Sequence, residues 1–139
     1  MKTNKLFAFL TLTALLCASK VAAQEKTKTP PTKAEGQTVK TLVTHDIGPQ
    51  IPELQGYYLQ MRLRTLEPGG YGPLHSHKET AVILYVVQGT LTVCTPEGNC
   101  TELHEGQAKA EGKDVVHWAE NRGTKPLAYL AAEILKKKP

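Results

Sequence analysis

The chain has 139 residues, with 17 Lys and Arg against 13 Asp and Glu and a formal charge of +4. Lys2, Lys5 and Lys20 lie in an amino-terminal leader, and without them the charge falls to about +1. Basic residues do not alternate with stacking aromatics, so a nucleic-acid partner is excluded, and the length suits a single domain with one core.

Residues 1–23 read as a secretory signal: Lys2 and Lys5, an apolar run from Leu6 to Ala18, then Val21-Ala22-Ala23 as a small-residue cleavage site. The run is too short for a stable membrane span, and none is expected after the signal is removed. Leu15 and Leu16 precede Cys17 where a lipid-attachment signal wants small residues. A periplasmic or secreted protein follows. Residues 24–38 are Lys, Thr, Pro and Gly without an aromatic, cannot bury enough apolar area to order themselves, and read as a flexible tether. Residues 39–139 form the folded domain.

The pattern there is β throughout. Val39 to His45 predicts a strand, and Asp46 to Gly56, with Pro49, Pro52 and two glycines, predicts a loop or arm. Tyr57 to Thr65 alternates, with Leu59, Met61 and Leu63 on one face and Gln60, Arg62 and Arg64 on the other. The apolar set, with Ile83 and Tyr85, is the expected core. Arg62 and Arg64 are then surface residues, or a carboxylate clamp if their face turns inward. Glu67-Pro-Gly-Gly-Tyr-Gly-Pro73 reads as a turn cluster leading into a strand at His75. Ala81 to Gln88 is an apolar run of strand character ended by Gly89. Short strands follow at Thr90 to Thr95, Thr101 to His104, Gln107 to Glu111, Val115 to Ala119 and Pro126 to Leu135. Tyr85 and Trp118 suit either a pocket wall or the core. The Lys136 to Lys138 run reads as a solubilising terminus, with a docking patch as the alternative.

Cys94 and Cys100 frame Thr-Pro-Glu-Gly-Asn, whose Pro96 and Gly98 mark a turn. In an exported protein they are expected to form a disulfide across a hairpin; free thiols are the alternative.

His75 and His77 stand two apart. Side chains two apart on a strand share a face, so both imidazoles can grip one ion, with His117 supplying a third ligand from a neighbouring strand. The ion expected is divalent, Fe, Mn, Zn or Ni. Ordinary polar barrel residues are the competing reading.

The stretch from Tyr58 to Leu135 resembles the cupin superfamily. Gly69, His75, His77 and Gly89 match the first cupin motif, G-x5-H-x-H-x(3,4)-E-x6-G, and Gly106, His117 and Asn121 match the second, G-x5-P-x-G-x2-H-x3-N. Val82 stands where the first motif has its glutamate, and Gly112 and Asp114 where the second has Pro and Gly. The resemblance implies the double-stranded β-helix, an all-β jelly-roll barrel, and a homodimer paired through sheet edges with Asp46 to Gly56 as an exchanged arm. The chain resembles small single-domain cupins without an assigned reaction, and its resemblance to three-histidine cupins such as thiol dioxygenases and diketone-cleaving dioxygenases implies that iron chemistry without the glutamate is possible in this fold. Glu79, on the face of His77, and Glu111, ending the strand before His117, are the candidates to restore a carboxylate or serve as general base. Two functions remain open: a metal-dependent enzyme, dioxygenase- or isomerase-like, on a small organic substrate, and a non-catalytic binder or sensor of a small-molecule ligand or of the metal.

Overall fold

The structure, a computed structural model, describes residues 29–137, so the signal read over residues 1–23 lies outside the described residues. It has nine strands and one short 3-10 helix, Pro52–Leu54, among the described residues. The strands are β1 Glu35–Asp46, β2 Tyr57–Tyr71, β3 His75–Ser76, β4 Ala81–Gln88, β5 Thr90–Cys94, β6 Cys100–His104, β7 Ala108–Glu111, β8 Val116–Glu120 and β9 Leu127–Lys136. Most lie within a residue or two of the strands predicted from alternation and turn residues. β1 starts earlier: Glu35 to Thr38, assigned to the tether, pair with the far end of β2.

The hydrogen-bonded order is β6-β5-β8-β2-β9-β4-β7, with β1 added to β2 and β3 to β8. This is a nearly closed jelly-roll barrel. β2 belongs to both halves: Tyr57 to Leu66 pair with β9, whereas Tyr71 pairs with β8. The Glu67 to Pro73 cluster is therefore a bend within a long strand and its exit, not the turn expected. Gly69 takes φ +77°, which a side chain disfavours. The backbone bonds of Gly69 to Asn121 and of Asn121 to Gly70, each 2.9 Å, then hand β2 over to the second half. Gly89, at φ +85°, makes the one-residue corner between β4 and β5.

Burial inverts the expected core. β4 alternates strictly, with Val82, Leu84 and Val86 buried and Ile83, Tyr85 and Val87 at 57%, 45% and 44% exposure. In β2, Leu59 is 43% exposed while Arg62 and Arg64 take the phase that meets the interior through Glu133. The core is Leu66, Val82, Leu84, Val86, Leu91, Val93, Leu103, Ala119, Leu127, Tyr129 and Ala131. Cross-strand partners share a face, so Leu59 beside Ile134, Met61 beside Ala132 and Leu63 beside Leu130 form, with Ile83 and Tyr85, an apolar outer surface. Tyr85 is thus neither core nor pocket wall; Trp118 is core, 2% exposed.

Cys94 and Cys100 pair directly across the β5–β6 hairpin, with an S–S distance of 2.06 Å and Cα atoms 4.1 Å apart. The Arg122 guanidinium lies 3.5 Å and 3.3 Å from the two sulfurs and is ion-paired to buried Glu120, which also accepts from the Trp118 indole N–H at 3.2 Å.

Candidate metal centre

β3 and β8 bring the three histidines together. His75 is opposite His117 in the antiparallel register, and His77, one residue beyond the strand, extends the pairing by donating its backbone N–H to Val115 O at 2.9 Å. The three Nε2 atoms converge at 2.8 Å (His77 to His117), 3.1 Å (His75 to His77) and 3.2 Å (His75 to His117). Nitrogens held about 2.1 Å from one ion at roughly right angles would lie about 3.0 Å apart, so the spacing fits a shared divalent ion. The ring tautomer fits as well. His75 Nδ1 donates to Pro73 O at 3.0 Å, so its Nε2 carries the lone pair. Three ring nitrogens this close cannot all be satisfied by one another, and a cation between them satisfies all three.

The electrostatics favour the neutral form of His77 and His117. Burial, then the neighbouring His75, lowers the pKa of His77 below the ordinary histidine value. His117 is pushed down to about 3, first by burial and then by His75, His77, Lys109 and Arg64. A neutral imidazole is the form that ligates a metal.

Val82, at the motif's glutamate position, is buried and lines the same cavity. The carboxylates come instead from its neighbours on either side: Val82 pairs with Glu111 on β7 and with Glu133 on β9, so all three share the inward face. Glu111 is 4% exposed, with Oε2 3.3 Å from His117 Nε2 and 3.8 Å from His77 Nε2, and Oε1 3.0 Å from the Lys109 ammonium. Glu79 is exposed in the turn between β3 and β4, and no contact carries it to the histidines. Of the two candidate acids the fold therefore brings Glu111 to the site.

Glu133 was missed by the sequence reading, which left it in an apolar strand without a role. Its signal was a lone acid on the phase of Tyr129 and Ala131. It accepts from Arg62 Nε at 2.5 Å and from the Arg64 guanidinium at 3.4 Å. The cavity, about 20 Å³, is lined by the three histidines, Arg64, Glu133, Val82, Leu84, Ala119, Tyr129 and Ala131. That is room for about one water-sized group beside the ligating nitrogens. Asn121 lies outside it: its amide donates to Leu66 O and Lys125 O and accepts from Gly123 N–H, fixing the β8–β9 turn behind His117.

Comparison with known proteins places these features in a family. The profile described as the cupin domain matches residues 62–133, which hold all three histidines. The chain is 30% identical over 99 residues to germin-like protein subfamily 2 member 1 of Arabidopsis thaliana, covering 68% of this chain and 45% of that one. It is 28% identical over 102 residues to the rhicadhesin receptor of Pisum sativum, covering 70% and 47%. It thus spans about half the length of these relatives. Among solved structures, the polyketide cyclase RemF from Streptomyces resistomycificus superposes with a TM-score of 0.60 at 20% identity, over 79% of this chain and 72% of that one. At that identity the likeness is one of fold. With more than half its length matched by the domain profile, and with the barrel and clustered histidines of that fold, the chain belongs to the cupin family.

Proposed function

We propose that this cupin is exported and holds a divalent metal, of the Fe, Mn, Zn or Ni group, through His75, His77 and His117, and that it is a metal-dependent enzyme of the dioxygenase or isomerase type acting on a small organic molecule. The observation that carries this reading is the convergence of three Nε2 atoms within 3.2 Å of one another, beside a buried carboxylate, in a cavity walled by apolar side chains. The bound ion would supply Lewis acidity and open coordination positions for O2 or a chelating substrate. The chain supplies the rest. Pro73 O orients His75; burial keeps His77 and His117 neutral; Val82, Leu84 and Tyr129 exclude bulk water. The 3.3 Å approach of Glu111 Oε2 to His117 Nε2 supports Glu111 as the group that would take or return a proton at the site. The Cys94–Cys100 disulfide supports export to an oxidising compartment. The apolar outer surface supports a homodimer.

The test is to load the purified protein anaerobically with Fe(II), Mn(II), Ni(II) or Zn(II), determine bound metal by elemental analysis, and follow O2 uptake and product formation with small diketones, thiols, hydroxy acids and phenolic acids. Near-stoichiometric metal that is lost in His117→Ala, with turnover lost alongside, is the expected result. Full metal retention by His117→Ala would remove the ligand set. Saturable binding without conversion across the panel would make the protein a binding module.

A further inference from the structure

The geometry points to a small carboxylate, or an equivalent oxyanion, as the ligand of this cavity, with Arg64 holding its charged end; this rests on the metal-site reading above. Arg64 lines the cavity together with the three histidines. Its side chain is largely buried, at 16% exposure, yet among the described residues its ion-pair partner is Glu133 alone, with Oε1 at 3.4 Å. Glu133 is already committed elsewhere: Arg62 takes its Oε2 through both Nε and a terminal nitrogen. One carboxylate therefore serves two guanidinia, and Arg62 has the larger share of it. Arg64 is left at the cavity wall with a positive charge that Glu133 compensates only in part, largely removed from water, where such a charge favours an anion.

The other charges do not cancel it. Glu111 has Lys109 at 3.0 Å from one oxygen, so the two neutralise each other. A divalent ion on three neutral histidines adds two further positive charges. The cavity as a whole is cationic, and its remaining walls, Val82, Leu84 and Tyr129, offer no counter-charge. A carboxylate matches this arrangement because its two oxygens can meet the planar guanidinium fork. The volume, about 20 Å³, admits about one oxygen-sized group, so one carboxylate oxygen enters and the rest of the ligand stays outside it.

The Arg62–Glu133–Arg64 arrangement also makes Arg62 a positioning residue. It keeps Glu133 from neutralising Arg64. Removing Arg62 should therefore weaken anion binding, although Arg62 does not line the cavity.

The experiment measures binding of acetate, lactate and malonate against their neutral amides by calorimetry, on Co(II)-loaded protein whose visible spectrum reports ligand exchange, and on metal-free protein. Bound metal and thermal unfolding are recorded on each sample. The expected result is preference for each acid over its amide, falling about tenfold or more in Arg64→Gln and in Arg62→Gln at unchanged metal content, with partial recovery in Arg64→Lys, which restores charge without the fork. Equal binding of acid and amide by wild type, or an Arg64→Gln protein that is folded and keeps the preference, overturns the inference. Absence of bound metal would instead count against the metal site, and the acid-over-amide preference of metal-free protein would still decide the role of Arg64.

Discussion

Glu133→Gln is the substitution that weighs the inverted core most directly. Glu133 is 7% exposed, with the side chains of Arg62 and Arg64 at 24% and 16%. Removing its charge leaves two guanidinia side by side in a largely dry site. Breaking a fully buried pair costs about 3–5 kcal/mol, and because some water reaches both arginines the lower end applies, about 3 kcal/mol. For a domain of this size that lowers the melting temperature by roughly 10 °C or more. If Arg62 and Arg64 pointed outward, as surface residues, the loss would stay at or below about 1 kcal/mol. Urea unfolding of metal-free protein, followed by fluorescence of the single tryptophan, Trp118, which is buried in β8, gives the number. A loss under about 1 kcal/mol would refute the reasoning. The triple change Arg62→Met, Arg64→Met, Glu133→Leu should recover most of the loss, because apolar groups of similar size replace a buried ion cluster at little cost.

Glu111→Val should weaken metal binding about tenfold or more, and adding Val82→Glu should restore it, because the two positions are cross-strand neighbours on one face; titration with a competing chelator measures both. Metal-free protein should lose stability as pH falls from about 6.5 toward 3. The unfolded chain binds a proton at His117 near the ordinary histidine value and the folded chain only near 3, so between the two the unfolded state holds more protons; urea midpoints across that range that rise or stay level would contradict it. Intact native protein should have a mass two hydrogens below the fully reduced value and resist thiol labelling, and the pair Cys94→Ala, Cys100→Ala should cost about 2 kcal/mol for so short a loop. Ile83→Lys, on the apolar outer surface, should leave the monomer folded and turn a dimer into a monomer in sedimentation velocity, whereas a wild-type monomer would remove that reading.

Strand positions were legible because alternation and turn residues are local: Tyr57 to Thr65, Ala81 to Gln88 and the strands from Thr90 onward fall where period-two patterning and glycines put them. The histidine spacing was legible for the same reason, since a pleat aligns residues two apart, and so was the Cys94–Cys100 pair, set across a turn of five residues. What alternation leaves open is which of two faces is inside. Leu59, Met61, Ile83 and Tyr85 are the more apolar phase and were expected in the core, yet the barrel turns them out, because the sheet carries an apolar outer surface and its interior takes an ion cluster. The register between distant strands is likewise a tertiary fact: only the pairing of β4 with β7 and β9 sets Glu111 and Glu133 beside Val82, at the place where the sequence motif has lost its own carboxylate.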